Sequence, residues 1–200
     1  MSDMAATLDA QTGISLRTFT VDEYHRIAEA GLFDEGPGVE LLDGLVVAMP
    51  PIGERHWVVH ALIVEYLIRS LGDRALVVGQ ISVPLGERNE PQPDIALVAR
   101  SAIEDFADRE RRIGPSEIFA LIEIAETSQV KDLGIKRRLY GRHGIPSYLV
   151  VDLPARRLRK LSRPVEGDYA SDVTLARGDS FSLEAFPDVA LEAGRLLPPV

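Results

Sequence analysis

Residues 118–125 read Ile-Phe-Ala-Leu-Ile-Glu-Ile-Ala, and this stretch decides what kind of sheet the chain can build. Apolar residues occupy every position but one, which is typical of a central strand covered on both faces. Glu123 interrupts the run. An isolated buried carboxylate costs several kcal/mol even after the protein relaxes, so Glu123 must be paired, hydrogen-bonded or bound to a metal ion.

Three other charged residues are candidates to act with Glu123. Asp94 follows Pro93 and opens a predicted strand, Glu40 opens another, and Lys136 lies on the helix predicted after Glu123. Asp94 and Glu123 together could hold one Mg²⁺ ion, which takes oxygen ligands and commonly only one or two carboxylates. Such an ion polarises a phosphodiester and lowers the pKa of a bound water, and Glu40 could hold a water or a second ion. This set predicts a hydrolytic metal centre.

A purely structural interpretation of the same residues stays open. Glu123 could form a structural salt bridge with Arg137 or Lys136, and Asp94 could simply end a loop. Lysine is rare, however, with Lys131, Lys136 and Lys160 set against nineteen arginines, so a lysine here looks selected. Helical spacing turns Lys136 towards the sheet, where its ammonium could orient an attacking water. The alternative for Lys136 is simple ion pairing with Asp132 or Glu126.

Composition limits the classes of protein. The chain has 200 residues, 46% of them hydrophobic, no cysteine and a net charge of -9. We expect one domain over residues 18–200 after a flexible tail over residues 1–17. The sequence has neither a basic, apolar start nor a long apolar run, and this predicts a cytoplasmic protein that does not enter a membrane. The excess of acidic residues argues against a general DNA-coating role. Arginine clusters at 109–112, 137–142 and 156–159 could still bind phosphate groups.

The pattern of helices and strands fits an α/β sandwich. Thr20 and Glu23 predict a capping box, and Asp43-Gly44 predicts a type I′ hairpin turn. The predicted elements are a helix over 20–30, a hairpin over 39–49, a helix over 54–71, strands at 76–78, 81–85, 94–98 and 118–125, a helical excursion within 101–112, a helix over 131–143, a strand at 147–152 and antiparallel strands from 156 onwards.

Histidines and aromatic residues are weaker candidates. His56 and His60 lie four residues apart on one helix, a spacing at which two imidazoles can share an ion, but without a third ligand a substrate-facing or capping role is favoured over a zinc site. Tyr140 and Trp57 are predicted in the core, although Tyr140 and Arg137 could also face substrate. Motifs of nucleotide kinases, serine hydrolases, zincins and dinucleotide enzymes are absent from the sequence.

Taken together, the motifs resemble the Uma-two family of restriction endonucleases, within the PD-(D/E)XK nuclease superfamily. The residues that carry the resemblance are 19–24 (Phe-Thr-Val-Asp-Glu-Tyr), 39–44 (Val-Glu-Leu-Leu-Asp-Gly), 93–95 (Pro-Asp-Ile), 121–124 (Leu-Ile-Glu-Ile), 144–148 (Gly-Ile-Pro-Ser-Tyr) and 151–152 (Val-Asp), with His56, Asp132, Lys136 and Tyr140. The resemblance implies a restriction-endonuclease-like α/β (α+β) fold, a mixed central sheet flanked by helices.

The resemblance also implies chemistry. Asp94 and Glu123 would be the superfamily's metal-binding acids, Glu40 an accessory acid, and Mg²⁺ or Mn²⁺ the cofactor. The superfamily lysine is expected two residues after Glu123, where this chain has Ala125, so Lys136 would replace it, with Lys131 as second choice.

The expected function is metal-dependent hydrolysis of DNA phosphodiesters, with a homodimer expected because double-strand cutting needs two active sites. Two alternatives stay open. One is an inactive nuclease-fold module with a binding or regulatory role, and the other is a hydrolase that acts on another phosphate ester.

Overall fold

The computed structural model describes residues 3–33, 38–102 and 113–197. These residues belong to two compact units, the first formed by Met1–Ile52 with Ser82–Gln92 and the second by Gly53–Ile81 with Pro93–Val200. The single domain expected over residues 18–200 stays a prediction. Most of the predicted excursion at 101–112, including its arginines, lies outside the described residues, as do residues 198–200.

The first unit contains two helices and a hairpin. Its elements are α1 (Asp3–Thr12), α2 (Val21–Glu29), β1 (Val39–Leu42) and β2 (Leu45–Ala48). The capping box that starts α2 is confirmed, because the Thr20 side chain accepts from the Glu23 N–H and Glu23 accepts from the Thr20 N–H. The hairpin is confirmed as well, with positive φ angles of 50° at Asp43 and 79° at Gly44. Helix α1 lies within the predicted tail, whose flexibility stays a prediction.

The strand predicted at 81–85 is wrong. The Val83 N–H donates to the Pro91 carbonyl at 3.0 Å and the Leu85 N–H donates to the Asn89 carbonyl at 2.8 Å, but no regular ladder forms there. Pro84 and Pro91 have no N–H to donate, so only isolated hydrogen bonds are available to this segment.

The second unit is built on a mixed sheet. Its elements are α3 (Glu54–Leu71), β3 (Leu76–Gly79), β4 (Ile95–Val98), β5 (Ile118–Ala125), a π-helix (Lys131–Lys136), α4 (Arg137–Arg142), β6 (Ser147–Asp152), β7 (Arg157–Val165), β8 (Asp168–Leu175), β9 (Ser180–Leu183), β10 (Phe186–Glu192) and α5 (Ala193–Leu196). Among the described residues, six strands form one sheet in the order β3-β4-β5-β6-β7-β8, and β9 pairs with β10 separately. Strands β5 and β6 run parallel, while the other neighbours in the sheet are antiparallel.

Helix α3 covers one face of the sheet. It buries one side chain per turn, at Val59, Ile63, Leu67 and Leu71, against the face of β5 that carries Ile122 and Ile124. Gly72 ends the helix with a φ of 54°, as its position in the sequence predicts. Trp57 lies outside the buried stripe and is 56% exposed, so its predicted core position is wrong.

The opposite face of β5 meets the π-helix and α4. The helix predicted over 131–143 is present, but its first part, Lys131–Lys136, is π-helical and only Arg137–Arg142 is α-helical. Side chains on a strand alternate between faces, so Glu123 points to the side opposite Ile122 and Ile124, which is the side of these helices. The architecture of a mixed central sheet flanked by helices, predicted from the sequence, is therefore confirmed.

In the part of the chain that the structure describes, no helix combines the length and the apolar character needed to span a membrane.

Candidate functional site

Glu123 is buried in the middle of the sheet with two donors on one oxygen. It is 4% exposed, and its strand lies between β4 and β6. Lys136 Nζ donates to Glu123 Oε1 at 2.8 Å, and the Tyr140 hydroxyl donates to the same oxygen at 2.9 Å. Lys136 is itself only 2% exposed. The carboxylate and the ammonium are thus both removed from water and depend on each other for their charge balance.

Asp94 stands next to Glu123 across the sheet. Strands β4 and β5 are antiparallel with Ile95 opposite Ile122, so continuing that register by one residue sets Asp94 opposite Glu123. A hydrogen bond supports this placement, since the backbone N–H of Ile124 donates to Asp94 Oδ2 at 2.7 Å. The register and this hydrogen bond together place the Asp94 carboxylate beside β5 at the level of Glu123.

Two histidines of α3 contact Asp94. His56 Nε2 lies 3.1 Å from Asp94 Oδ1, and His60 Nε2 lies 3.0 Å from the main-chain oxygen of Asp94. The hydrogen bond with Asp94 raises the pKa of His56 above 6.5, against the opposing effect of burial. Gly79 makes room for His60, because a Cβ at Gly79 would lie 2.9 Å from His60 Nε2. The histidines therefore bind Asp94 by its side chain and its backbone.

Two other predicted residues make contacts of their own. Glu40 is fully buried in the first unit, where its Oε2 accepts from the Gln92 N–H at 3.2 Å. Arg137 follows Lys136 but makes ion pairs with Asp168 at 2.6 Å and Asp172 at 2.7 Å. The structure thus brings together Asp94, Glu123, Lys136, Tyr140, His56 and His60. Their roles in function stay predictions.

One buried acid near this group carries little sequence signal. Asp132 is 1% exposed, and the Ser128 hydroxyl donates to its Oδ2 at 2.5 Å. The sequence predicts Asp132 as a possible ion-pair partner for Lys136 and includes it among the residues of the family resemblance, whereas Lys136 donates to Glu123. The spacing of Ser128 and Asp132, four residues apart, is the one sign of their contact, and it is common on helix surfaces.

The carboxylate oxygens at this site are suitable ligands for a hard divalent cation. Asp94 accepts one hydrogen bond at Oδ2 and contacts His56 at Oδ1, yet a carboxylate oxygen has two lone pairs, so both oxygens keep capacity for a ligand. Among the described residues, no group of three or more histidines, cysteines or acids is arranged as a ready metal site. Mg²⁺ does not need one, since it keeps several waters and uses one or two carboxylates. The zinc site that the spacing of His56 and His60 allows, but does not favour, has no third ligand in that part of the chain.

Comparisons with known proteins agree with this architecture. A crystal structure of a putative nuclease belonging to DUF820 from Anabaena variabilis is similar to the chain, with a TM-score of 0.70 and 16% sequence identity. The match covers 89% of this chain and 97% of that chain. At this identity the likeness shows the fold alone, which is that of a protein described as a nuclease. Comparison with curated proteins finds no significant match.

A family model covers nearly the whole chain. The Uma2 (Uma-two) model, described as putative restriction endonuclease, matches residues 21–194. That span includes Glu40, Asp94, Glu123 and Lys136. The chain therefore belongs to the Uma2 family of putative restriction endonucleases.

Proposed function

We propose that the protein is a divalent-metal-dependent endonuclease that hydrolyses DNA phosphodiester bonds, with Asp94 and Glu123 as the ligands of a Mg²⁺ or Mn²⁺ ion. The observation that carries the proposal is the register of β4 and β5, which sets these two acids opposite each other, together with the buried amine of Lys136 on Glu123. A structural ion pair between Glu123 and Lys136 would not require a second carboxylate at the facing position.

The ion would supply Lewis-acid polarisation of the phosphodiester and a bound water of lowered pKa. The chain's own residues prepare the site for it. Lys136 and Tyr140 orient Glu123 by donating to one of its oxygens, and the Ile124 N–H orients Asp94 in the same way. In a site closed to water, the charge of Lys136 also stabilises negative charge that develops on the phosphate.

Lys136 replaces the lysine missing at Ala125 in this proposal. Its Nζ contacts Glu123, whereas Lys131, the second choice, is only half-buried at the start of the π-helix. His56 is positioned to steer the carboxylate of Asp94, and His60 to hold the backbone at that residue. Glu40 as accessory acid and Arg137 as a substrate contact remain part of the proposal.

Cleavage of supercoiled plasmid DNA tests the proposal directly. We expect the wild-type protein to nick the plasmid with Mg²⁺ or Mn²⁺ and to lose activity with EDTA. Glu123→Gln and Asp94→Asn should reduce nicking to the level of a protein-free control, and Lys136→Met should reduce it about 10²–10³-fold, the usual cost of removing one charge-stabilising donor. Circular dichroism of each variant must show a folded protein.

Asp152→Asn is the matched control, since Asp152 accepts from Gln129 and Ala155 rather than from the site residues. It should leave nicking unchanged. Equal nicking by wild type, Asp94→Asn and Glu123→Gln would reject the proposed ligands. Binding of DNA without any metal-dependent cleavage would instead support the alternative of an inactive module with this fold.

The predicted homodimer and cytoplasmic location are separate proposals. Double-strand cleavage by a closed pair of sites needs two copies of the chain, so sedimentation of the protein with and without DNA should show a species of twice the chain's mass. A monomer under both conditions would leave nicking of single strands as the activity that the site can perform.

A further inference from the structure

Asp132 carries a buried carboxylate oxygen for which the described residues provide no hydrogen-bond donor. The residue is 1% exposed, and its Oδ1 has no hydrogen-bond partner among the described residues. A buried acceptor left unsatisfied destabilises the fold, and more so when it is charged. Burial raises the pKa of Asp132 above 3.8, and the charge of Lys136 offsets part of that rise. An oxygen kept in this situation indicates a partner other than protein.

The carboxylate is held so that this second oxygen keeps a fixed direction. The Ser128 hydroxyl donates to Oδ2 at 2.5 Å, and the Tyr148 hydroxyl donates to the main-chain oxygen of Asp132 at 3.1 Å. Tyr148 is fully buried on β6, next to the strand of Glu123. Two anchors therefore fix the side chain and backbone of Asp132, and Oδ1 is the carboxylate oxygen with no donor in the described ranges of the chain.

Asp132 interacts electrostatically with the residues of the candidate site. Its charge contributes to the raised pKa of His56, and the charges of Lys136 and Asp94 act on Asp132 with opposite sign. His56 Nδ1 is a second buried atom without a hydrogen-bond partner in the described part of the chain. The two residues that carry these atoms both interact electrostatically with Asp94.

A structural role would use Asp132 only to fix Ser128 at the start of the helix. That role needs Oδ2 alone, and an asparagine oxygen could perform it. It explains neither the negative charge nor the second buried oxygen. Direct ligation is also disfavoured, because no cluster of three potential ligands is found among the described residues.

We propose that Asp132 is a positioning residue for the divalent cation: its Oδ1 accepts a hydrogen bond from a water in the hydration shell of the ion that Asp94 and Glu123 would hold. This inference rests on the proposed function. Mg²⁺ and Mn²⁺ sites of this type keep several waters, and groups that orient ligands from outside the inner shell typically change metal affinity 10–100-fold when mutated.

Calorimetric titration of the full-length protein with Mn²⁺ alone tests the inference without measuring cleavage. We expect Asp132→Asn to bind Mn²⁺ about 10–100-fold more weakly than wild type. Asp152→Asn removes one carboxylate charge from the same unit and should bind as wild type does. A purely structural role would lower the melting temperature of Asp132→Asn and leave the Mn²⁺ affinity of the folded protein unchanged, which would overturn the inference.

Two further variants separate the possible failures. If Asp132→Asn does not fold, Ser128→Ala, which keeps the carboxylate but removes its anchor, should still weaken Mn²⁺ binding; an unchanged affinity would overturn the inference. Glu123→Gln should abolish binding. If Glu123→Gln loses Mn²⁺ binding while Asp132→Asn keeps the wild-type Mn²⁺ affinity, only the role of Asp132 is overturned. If Glu123→Gln binds Mn²⁺ tightly, or if the wild-type protein does not bind Mn²⁺, both proposals are overturned.

Discussion

Replacing Lys136 with methionine should destabilise the protein strongly, because it leaves Glu123 charged and buried. The side chains of this pair are 2% and 5% exposed, and they meet at 2.8 Å. Removing one partner of a buried pair typically costs about 3–5 kcal/mol. For a chain of this size, each kcal/mol corresponds to about 2–4 °C in melting temperature, so Lys136→Met should melt about 6–20 °C below wild type.

The double variant Glu123→Gln/Lys136→Met should recover much of that loss. A glutamine can still accept from the Tyr140 hydroxyl, and a methionine of similar volume leaves no buried ammonium. Urea unfolding of wild type, both single variants and the double variant, followed by circular dichroism at pH 7, gives the coupling free energy. We expect that coupling at the upper end of the usual range, about 2–3 kcal/mol.

The ion pair between Arg74 and Asp188, whose side chains are 44% and 66% exposed, provides the control double-mutant cycle. Its coupling should be much smaller, because solvent screens it. Additive effects of the two substitutions at Glu123 and Lys136, with a coupling below about 0.5 kcal/mol, would refute the idea that the site holds a desolvated ion pair.

Three other perturbations address the surrounding structure. Thr20→Ala removes the N-cap of α2 and should lower the free energy of unfolding by about 1 kcal/mol in urea titrations. Gly141→Ala should lower the melting temperature clearly, because the new Cβ would lie 2.8–2.9 Å from the backbone of Asp168. Gly134→Ala is the control and should keep the wild-type melting temperature, because a Cβ at Gly134 meets nothing within 4 Å. Burial alone would raise the pKa of Asp172, but hydrogen bonds and charges from Arg159 and Arg137 lower it below 3.8. The ionised carboxylate therefore stabilises the fold above pH 3.8, and this stabilisation is lost as the pH falls through the lowered pKa. Asp172→Asn should flatten the decline in stability on the acid side of pH 3.8, as measured by urea unfolding at several pH values.

The candidate site divides into a part that the sequence predicts and a part that it does not. Glu123 is evident as an acid in an apolar run, and Lys136 as a rare lysine at a position that faces the sheet. The contact of Asp94 with Ile124 depends on how strands thirty residues apart align, which local patterns do not determine. The contact between His56 and Asp94 depends on how α3 lies on the sheet.

Errors in the fold have similar causes. Hydrophobicity predicts Trp57 in the core, but the burial of α3 follows the stripe through Val59 and Ile63, which leaves Trp57 exposed. The π-helix at 131–136 has no composition that separates it from an α-helix, so the sequence predicts an ordinary helix there. Alternating apolar residues at 81–85 predicted a strand, and the prolines there prevent a ladder.

The number of residues in the π-helix determines how the side chains on it are oriented. A π-helical turn holds more residues than an α-helical turn, so deleting one residue between 131 and 136 would let the segment relax to an α-helix and rotate Asp132 away from the side shared by Lys136 and Tyr140. Natural relatives that differ by a single gap here would be expected to have a rearranged helix at this position even if every acid and the lysine were retained.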